Sequence, residues 1–396
     1  MTEPSILERA RAIAPKLVEI RRTIHRHPEL SFQEYHTAAL VAETLGSLGI
    51  RFDTGVGKTG VIGYLGTEGP IVALRADMDA LPIQELNRVD YASEVPGVMH
   101  ACGHDVHTTC LLGAAMLLKE ANLKGRVRLL FQPSEEGMDE EGKSGAMRLL
   151  EEGAFEQVEA VFGLHAESVF PAGTLNCSPG AVAAALDNFR ITIRGRAAHG
   201  AYPHLGLDVI PIAAQVVIGL NMIISRRISP LDNGVVSIGM IHGGTKENNL
   251  TDEVELRGTL RSFDPKVRRT LIEEVERACN AARALGADYQ LSIQGGYPPL
   301  VNDPALTAFA RQVASELVGA QAVGEVAPEM GAEDFAFYLQ RSPGCFLLLG
   351  VGVPGQPLRP LHSPTFDIDE SVLPLGAATL AQLAIKYLEQ PLRGGS

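Results

Sequence analysis

Five side chains able to bind a metal ion lie far apart in this chain, each just after a strand-like apolar run. They are Cys102 and His104 in HACGHD, Glu136 in QPSEEG, His165 in VFGLH and His362 in PLHSP. For these groups to meet, the fold must carry several strand ends and a distant C-terminal segment to one edge. Open α/β sheets do this, because their ligands bind beyond the carboxyl ends of the strands. IVALRADMD, RLLFQPSEE and AVFGLH all place polar groups there. Singly, each residue has an ordinary explanation: Cys102 as a redox or nucleophilic thiol, Glu135 and Glu136 as a solvated acidic loop, each histidine as a structural group. None of these explains why all follow an apolar run in the same way.

The spacing of apolar residues predicts helices over 6–26, 34–48 and 108–120, and strands at GVIGYLG, IVALRAD, RVRLLF and 160–164. A helix is expected over 145–152. Strands alternating with helices imply a largely parallel sheet covered by helices. The order changes near Asp187. NFRITIRG, a helix over 208–224, GVVSIGMIHGG, EVELRGTLRSF, a helix opened by Asp264 and Pro265, and DYQLSIQGG follow in turn. Strand, helix, strand, strand, helix, strand is the split βαβ, ferredoxin-like arrangement. After Tyr297 helices and strands alternate again, and His362 lies in this last part. The fold class expected is therefore α/β. A mostly parallel catalytic domain, 1–182 and 296–396, is interrupted by an inserted ferredoxin-like α+β domain at 183–295.

A hydrophobic content of 45% builds real cores, and 20% charged residues excludes gross disorder. The net charge of −13 argues against a nucleic-acid surface, which needs clustered Lys and Arg. The first residues lack the basic and apolar regions of a secretory signal. No run approaches the roughly 18 uninterrupted apolar residues of a membrane span. The expectation is a soluble, cytoplasmic protein. Five scattered cysteines give no disulfide framework.

One thiolate, three imidazoles and a carboxylate suit one or two divalent transition ions. Glu135 adds a carboxylate that need not bind metal, and serves as a general base on water that the metal activates. Asp77 or Asp79, in RADMDALP, suits the carboxylate that accepts the second ring N–H of a ligating histidine. His100, Asp105 and His107 crowd Cys102 and His104; they rank as supporting groups, with His107 or Asp105 open as a replacement ligand. VGKTG at 56–60 lacks the earlier glycine of a phosphate loop, and no G-x-S-x-G elbow occurs.

Together RRTIHRHPELSFQE, RADMDALP, MHACGHDVHT, FQPSEEG, VFGLHAE, GRAAHGAYPHLGLD, EMGAEDFAFYL and LHSPTFDIDE resemble the dinuclear metallo-aminoacylase/carboxypeptidase family. The nearest branch is the amidohydrolases that include hippurate hydrolase and the indole-acetyl-amino-acid hydrolases. The resemblance implies two divalent ions per subunit (zinc, manganese, nickel or cobalt), with Cys102 bridging and His104, Glu136, His165 and His362 as terminal ligands. It implies Glu135 as catalytic base, Asp79 as the supporting carboxylate and His199 as the lid histidine that stabilises the oxyanion. It also implies Asn248 and Arg261 as contacts to a substrate α-carboxylate. The family's Asn-Val-Ile-Pro reads Asn248-Asn249-Leu250-Thr251 here, so Asn249 is a second candidate.

The activity implied is hydrolysis of an N-acyl or N-aroyl amino acid to a carboxylic acid and a free amino acid, by a homodimer in which the inserted domain is both lid and dimer contact. Carboxypeptidase or dipeptidase action on short peptides is the near alternative. A cysteine hydrolase using Cys102 with His104 or His107, and a non-catalytic binding protein on the same scaffold, are the competing classes.

Overall fold

The run IVALRAD forms the strand Ile71–Asp77, buried along its whole length. Continuous burial on both faces is what an apolar strand inside a parallel sheet requires. A computed structural model describing residues 4–392 places it within an eight-stranded sheet. The spatial order is Arg51–Val56, Gly60–Leu65, Arg126–Gln132, Ile71–Asp77, Val158–Pro171, Gly344–Gly352, Leu175–Asn176, Val323–Gly324. The four strands from Arg126–Gln132 to Gly344–Gly352 run parallel, and the hairpin Arg51–Leu65 joins them antiparallel. The helices His104–Lys119 and Leu373–Glu389 bury one residue after another in the core beside this sheet. Their apolar character is that of core helices.

Two sequence expectations shift. The helix expected over 6–26 is two helices, Ile6–Ala12 and Ala14–Arg26, broken at Ile13. Pro15 lacks an N–H and its ring clashes with the turn before it, so a new helix begins there instead. The helix expected from Thr108 begins at His104, because Gly103 supplies a left-handed φ of +83° at its N-terminus. A Cβ at Gly103 would also lie 3.0 Å from that of Ala166.

The chain divides into two compact units. The first holds the residues up to Gly180, Val301–Ala327 and those from Phe337 onward. The second holds Ala181–Leu300 and Pro328–Ala336. In the second unit an antiparallel sheet runs Gly234–Gly243, Glu253–Ser262, Ala185–Arg194, Asp288–Gly295. The helices Val209–Arg227 and Pro265–Ala284 pack on it through Val209, Ile212, Val216, Leu220, Leu271 and Val275. This strand order, with both crossovers helical, is the ferredoxin-like arrangement. Pro328–Ala336 joins this unit by hydrogen bonds from Glu329 to Val182 and from Ala184 to Gly331.

Candidate metal centre

The carboxyl ends of three neighbouring strands supply this centre. Ile71–Asp77 leads into Asp79, Arg126–Gln132 into Glu135 and Glu136, and His165 stands within Val158–Pro171. Cys102 and His104 enter at the start of the helix His104–Lys119. His362 comes from the C-terminal part, where its backbone N–H donates to Ala101 O at 2.8 Å.

Two groups of donor atoms overlap. Those of Cys102, His104 and His165 lie within 4.8 Å of one another, and so do those of Cys102, Glu136 and His362. Cys102 is common to both. Ligands of one ion at about 2.0–2.3 Å stand roughly 3–4.5 Å apart, and Cys102 Sγ lies 3.5 Å from His165 Nε2. Glu136 Oε1 is 3.0 Å from His362 Nε2 and is otherwise buried without a partner among the described residues. His104 Nε2 is buried without a hydrogen-bond partner among the described residues. Buried polar atoms are normally satisfied, so these convergent, orphaned donors fit a cation that completes them.

The supporting groups aim these donors. Asp79 Oδ1 lies 3.3 Å from His104 Nδ1, and its two oxygens accept the backbone N–H groups of Glu135 and Glu136, each at 3.0 Å. His165 Nδ1 donates to Ala166 O at 2.8 Å, which leaves Nε2 unprotonated with its lone pair towards Cys102. Asp77 Oδ1 lies 2.5 Å from His107 Nδ1, and His107 Nε2 accepts the Ala166 N–H at 2.7 Å. Both ring nitrogens of His107 are thus in use, and His107 braces the strand that carries His165. Asp105 spends Oδ2 on Arg21 and His25 and belongs to none of the donor groups among the described residues. His100 is buried, with neither ring nitrogen partnered among the described residues, and burial lowers its pKa to about 3, so it is neutral.

Electrostatics point the same way. Burial raises the Cys102 pKa well above the usual thiol range, and Glu136, Glu135 and Asp77 add to the effect. A thiol held protonated in this way is the opposite of an activated cysteine nucleophile, whereas a bound cation would deprotonate it. Burial opposes protonation of His104, but Asp77, Asp79 and Glu136 outweigh it and raise the pKa to about 10. Without a cation, a proton answers the surplus of carboxylates there. His165 is held well below its ordinary value by burial and then by His107, leaving a neutral imidazole.

The remaining expected residues lie in the second unit. Ala198–His199 pairs with Asn249–Leu250, and Gly200 N–H donates to Asn248 O at 2.8 Å. His199, Asn248 and Asn249 are therefore neighbours. His199 Nδ1 accepts the Ala201 N–H at 3.1 Å, so the ring proton sits on Nε2. Arg261 stands apart from them in the four-stranded sheet, opposite Leu186 and Val235. It is half-buried, has no ion-pair partner among the described residues, and burial lowers its pKa. Sequence reasoning did not single out Ser31 and Glu34, which reach this centre from the loop before the helix Tyr35–Ser47. Only their place in HPELSFQE marked them.

Known proteins are similar to this chain over most of its length. An IAA-amino acid hydrolase (ILR1-like 5) of Arabidopsis thaliana is 40% identical over 94% of this chain and 86% of its own. Thermostable carboxypeptidase 2 of Saccharolobus solfataricus is 41% identical over 94% of this chain and 95% of its own. The solved structure of the Bacillus subtilis YXEP protein, described as a dinuclear metal binding peptidase, matches with a TM-score of 0.82 and 35% identity. It covers 96% of this chain and 99% of that one. Residues 73–386 match the peptidase family M20/M25/M40 in sequence. With most of its length matched, and with its donors meeting at the strand ends, this chain belongs to the peptidase family M20/M25/M40 of metal-dependent hydrolases.

Proposed function

We propose that this protein hydrolyses the amide bond of N-acyl or N-aroyl amino acids, releasing a carboxylic acid and a free amino acid. The observation that carries this is the pair of donor triads sharing Cys102, with Glu135 beside them. Cys102, His104 and His165 would hold one divalent ion, and Cys102, Glu136 and His362 the other. Such ions lower the pKa of water and polarise a carbonyl.

Glu135 is the general base in this reading. Its carboxylate takes a proton from the attacking water as the C–O bond forms. It returns that proton to the amine nitrogen as the C–N bond breaks. Asp79 fixes the Glu135 backbone and is a positioning residue. His199, whose Nε2–H is free to donate, stabilises negative charge on the former carbonyl oxygen. Asn248 and Arg261 take the substrate's α-carboxylate, for which a guanidinium offers two parallel hydrogen bonds.

The similarity to a named carboxypeptidase favours short peptides as the second substrate class. The inserted domain at 183–295 is read as the lid and the homodimer contact. Ile218 and Met222 on the helix Val209–Arg227, and Met240 and Ile241 on the edge strand Gly234–Gly243, are half or nearly half exposed, which supports that contact. A cytoplasmic location is part of the same reading.

The test pairs metal analysis of the purified protein with a panel of N-acetyl, N-benzoyl and indole-acetyl amino acids and dipeptides. Turnover of acylated amino acids by protein holding about two ions per chain is expected. Protein that holds metal yet turns over dipeptides alone would move the assignment to the second class.

A further inference from the structure

Glu34 is a buried acid with no role in the reading above. Glu34, fully buried, lies on the loop between the helices Ala14–Arg26 and Tyr35–Ser47. Its Oε1 accepts two backbone N–H groups, from Phe32 and from Ser134, each at 2.9 Å. Its Oε2 accepts the Thr59 hydroxyl. Ser134 directly precedes Glu135. The three successive amides of Ser134, Glu135 and Glu136 are therefore all held by buried carboxylates, the first by Glu34 and the other two by Asp79.

This turn needs holding. Ser134 has φ +46° and Phe32 has φ +59°, both in the left-handed region that residues with a Cβ avoid. Such a conformation persists only where its surroundings over-determine it. One oxygen of Glu34 accepts from both strained residues. The same loop grips the turn a second time, since Ser31 Oγ donates to Asp79 Oδ2 at 2.7 Å. On the far side, Ser134 O accepts the Gly145 N–H at 2.9 Å. A Cβ at Gly145 would stand 1.6 Å from Pro133 O, so that approach requires glycine.

We infer that Glu34 is a positioning residue for the Glu135–Glu136 turn, aiming the base and one metal donor through the backbone N–H of Ser134. This inference rests on the roles given to Glu135 and Glu136 above. Glu34 touches neither substrate nor metal. It acts as a hydrogen-bond acceptor, so a neutral amide of the same length serves equally.

Two variants separate this from plain structural support. Glu34→Asp keeps the charge but withdraws the acceptor by one methylene. Glu34→Gln keeps an oxygen at the same reach. Metal-free full-length protein is titrated with cobalt(II), followed by its thiolate absorption, and kcat and KM are measured on the best acylated amino acid. Glu34→Asp is expected to lose about tenfold in cobalt affinity and in kcat, within the range seen for partners of metal ligands. KM should stay within about twofold, and Glu34→Gln should restore both losses. Wild-type cobalt affinity and kcat in Glu34→Asp, or losses in Glu34→Gln equal to those of Glu34→Asp, would overturn the inference alone. Wild-type protein that neither binds cobalt nor hydrolyses an amide overturns the underlying reading, and this inference with it.

Discussion

His362 and Ala101 are joined by a backbone hydrogen bond of 2.8 Å, although 261 positions separate them in the chain. The bond places His362 beside the segment that presents Cys102. His362 itself has φ +58°, a conformation kept only by such restraints. Leu86 N–H to Pro364 O at 2.9 Å and Asn87 Nδ2 to Phe366 O at 2.8 Å pin the same loop.

The His362→Ala variant therefore removes one donor from the Cys102–Glu136–His362 triad and leaves Cys102–His104–His165 whole. Metal content after dialysis should fall from about two ions per chain to about one. Elemental analysis reads this directly, and two retained ions would remove His362 from the ligand set.

Glu135→Gln deletes the base but not a donor of either triad that shares Cys102. Turnover should fall by about 10²–10⁴-fold, the usual range for a lost general base, with metal content unchanged. Steady-state kinetics beside metal analysis check it. Rates near wild type would assign the proton transfer to another group.

Chelation and alkylation separate metal chemistry from thiol chemistry. Burial and three carboxylates hold Cys102 as a thiol in metal-free protein, with only 8% of its surface exposed. A chelator should abolish activity and added metal should restore it, while an alkylating reagent should act slowly on the loaded enzyme. Activity that survives chelation but dies promptly on alkylation would favour a cysteine nucleophile.

How much was legible in advance follows from what each signal encodes. The parallel strands showed because continuous burial leaves a continuous apolar run, as in Ile71–Asp77. The donors of the two triads showed because metal ligands use few residue types, although only Glu136 follows a strand: His165 stands within one, Cys102 and His104 open a helix, and His362 lies in a loop. The break at Ile13 and the helix start at His104 were hidden, since they depend on Pro15 and on the left-handed φ of Gly103 rather than on periodicity. Asp77 or Asp79 is expected to brace a ligating histidine; Asp79 stands 3.3 Å from His104, whereas Asp77 faces His107, which belongs to neither triad. Glu34 was marked only by its place in HPELSFQE, which says nothing of its role. Its meaning lies in accepting the N–H of Ser134, 100 positions away, and no local pattern records such a pairing.

That buried acid also carries a pH signature. Burial, with the charge of Asp79 adding, pushes the Glu34 pKa from 4.5 up to about 7 against the hydrogen bonds from Thr59 and Ser134. A carboxyl whose pKa is higher in the folded state binds its proton more tightly there. Folding is then favoured at low pH, loses stability as pH rises from 4.5 through about 7, and is level above that. The loss is at most about 3 kcal/mol, at 1.36 kcal/mol per pKa unit. Glu34→Gln is neutral throughout, so its stability relative to wild type should improve between pH 4.5 and 7 and then hold constant. Thermal melts of the two proteins across that window measure the difference, in which the other titrating groups cancel. A stability of Glu34→Gln relative to wild type that does not change across this window would mean that Glu34 ionises as an ordinary carboxylate, and one that falls as pH rises would mean that folding lowers its pKa.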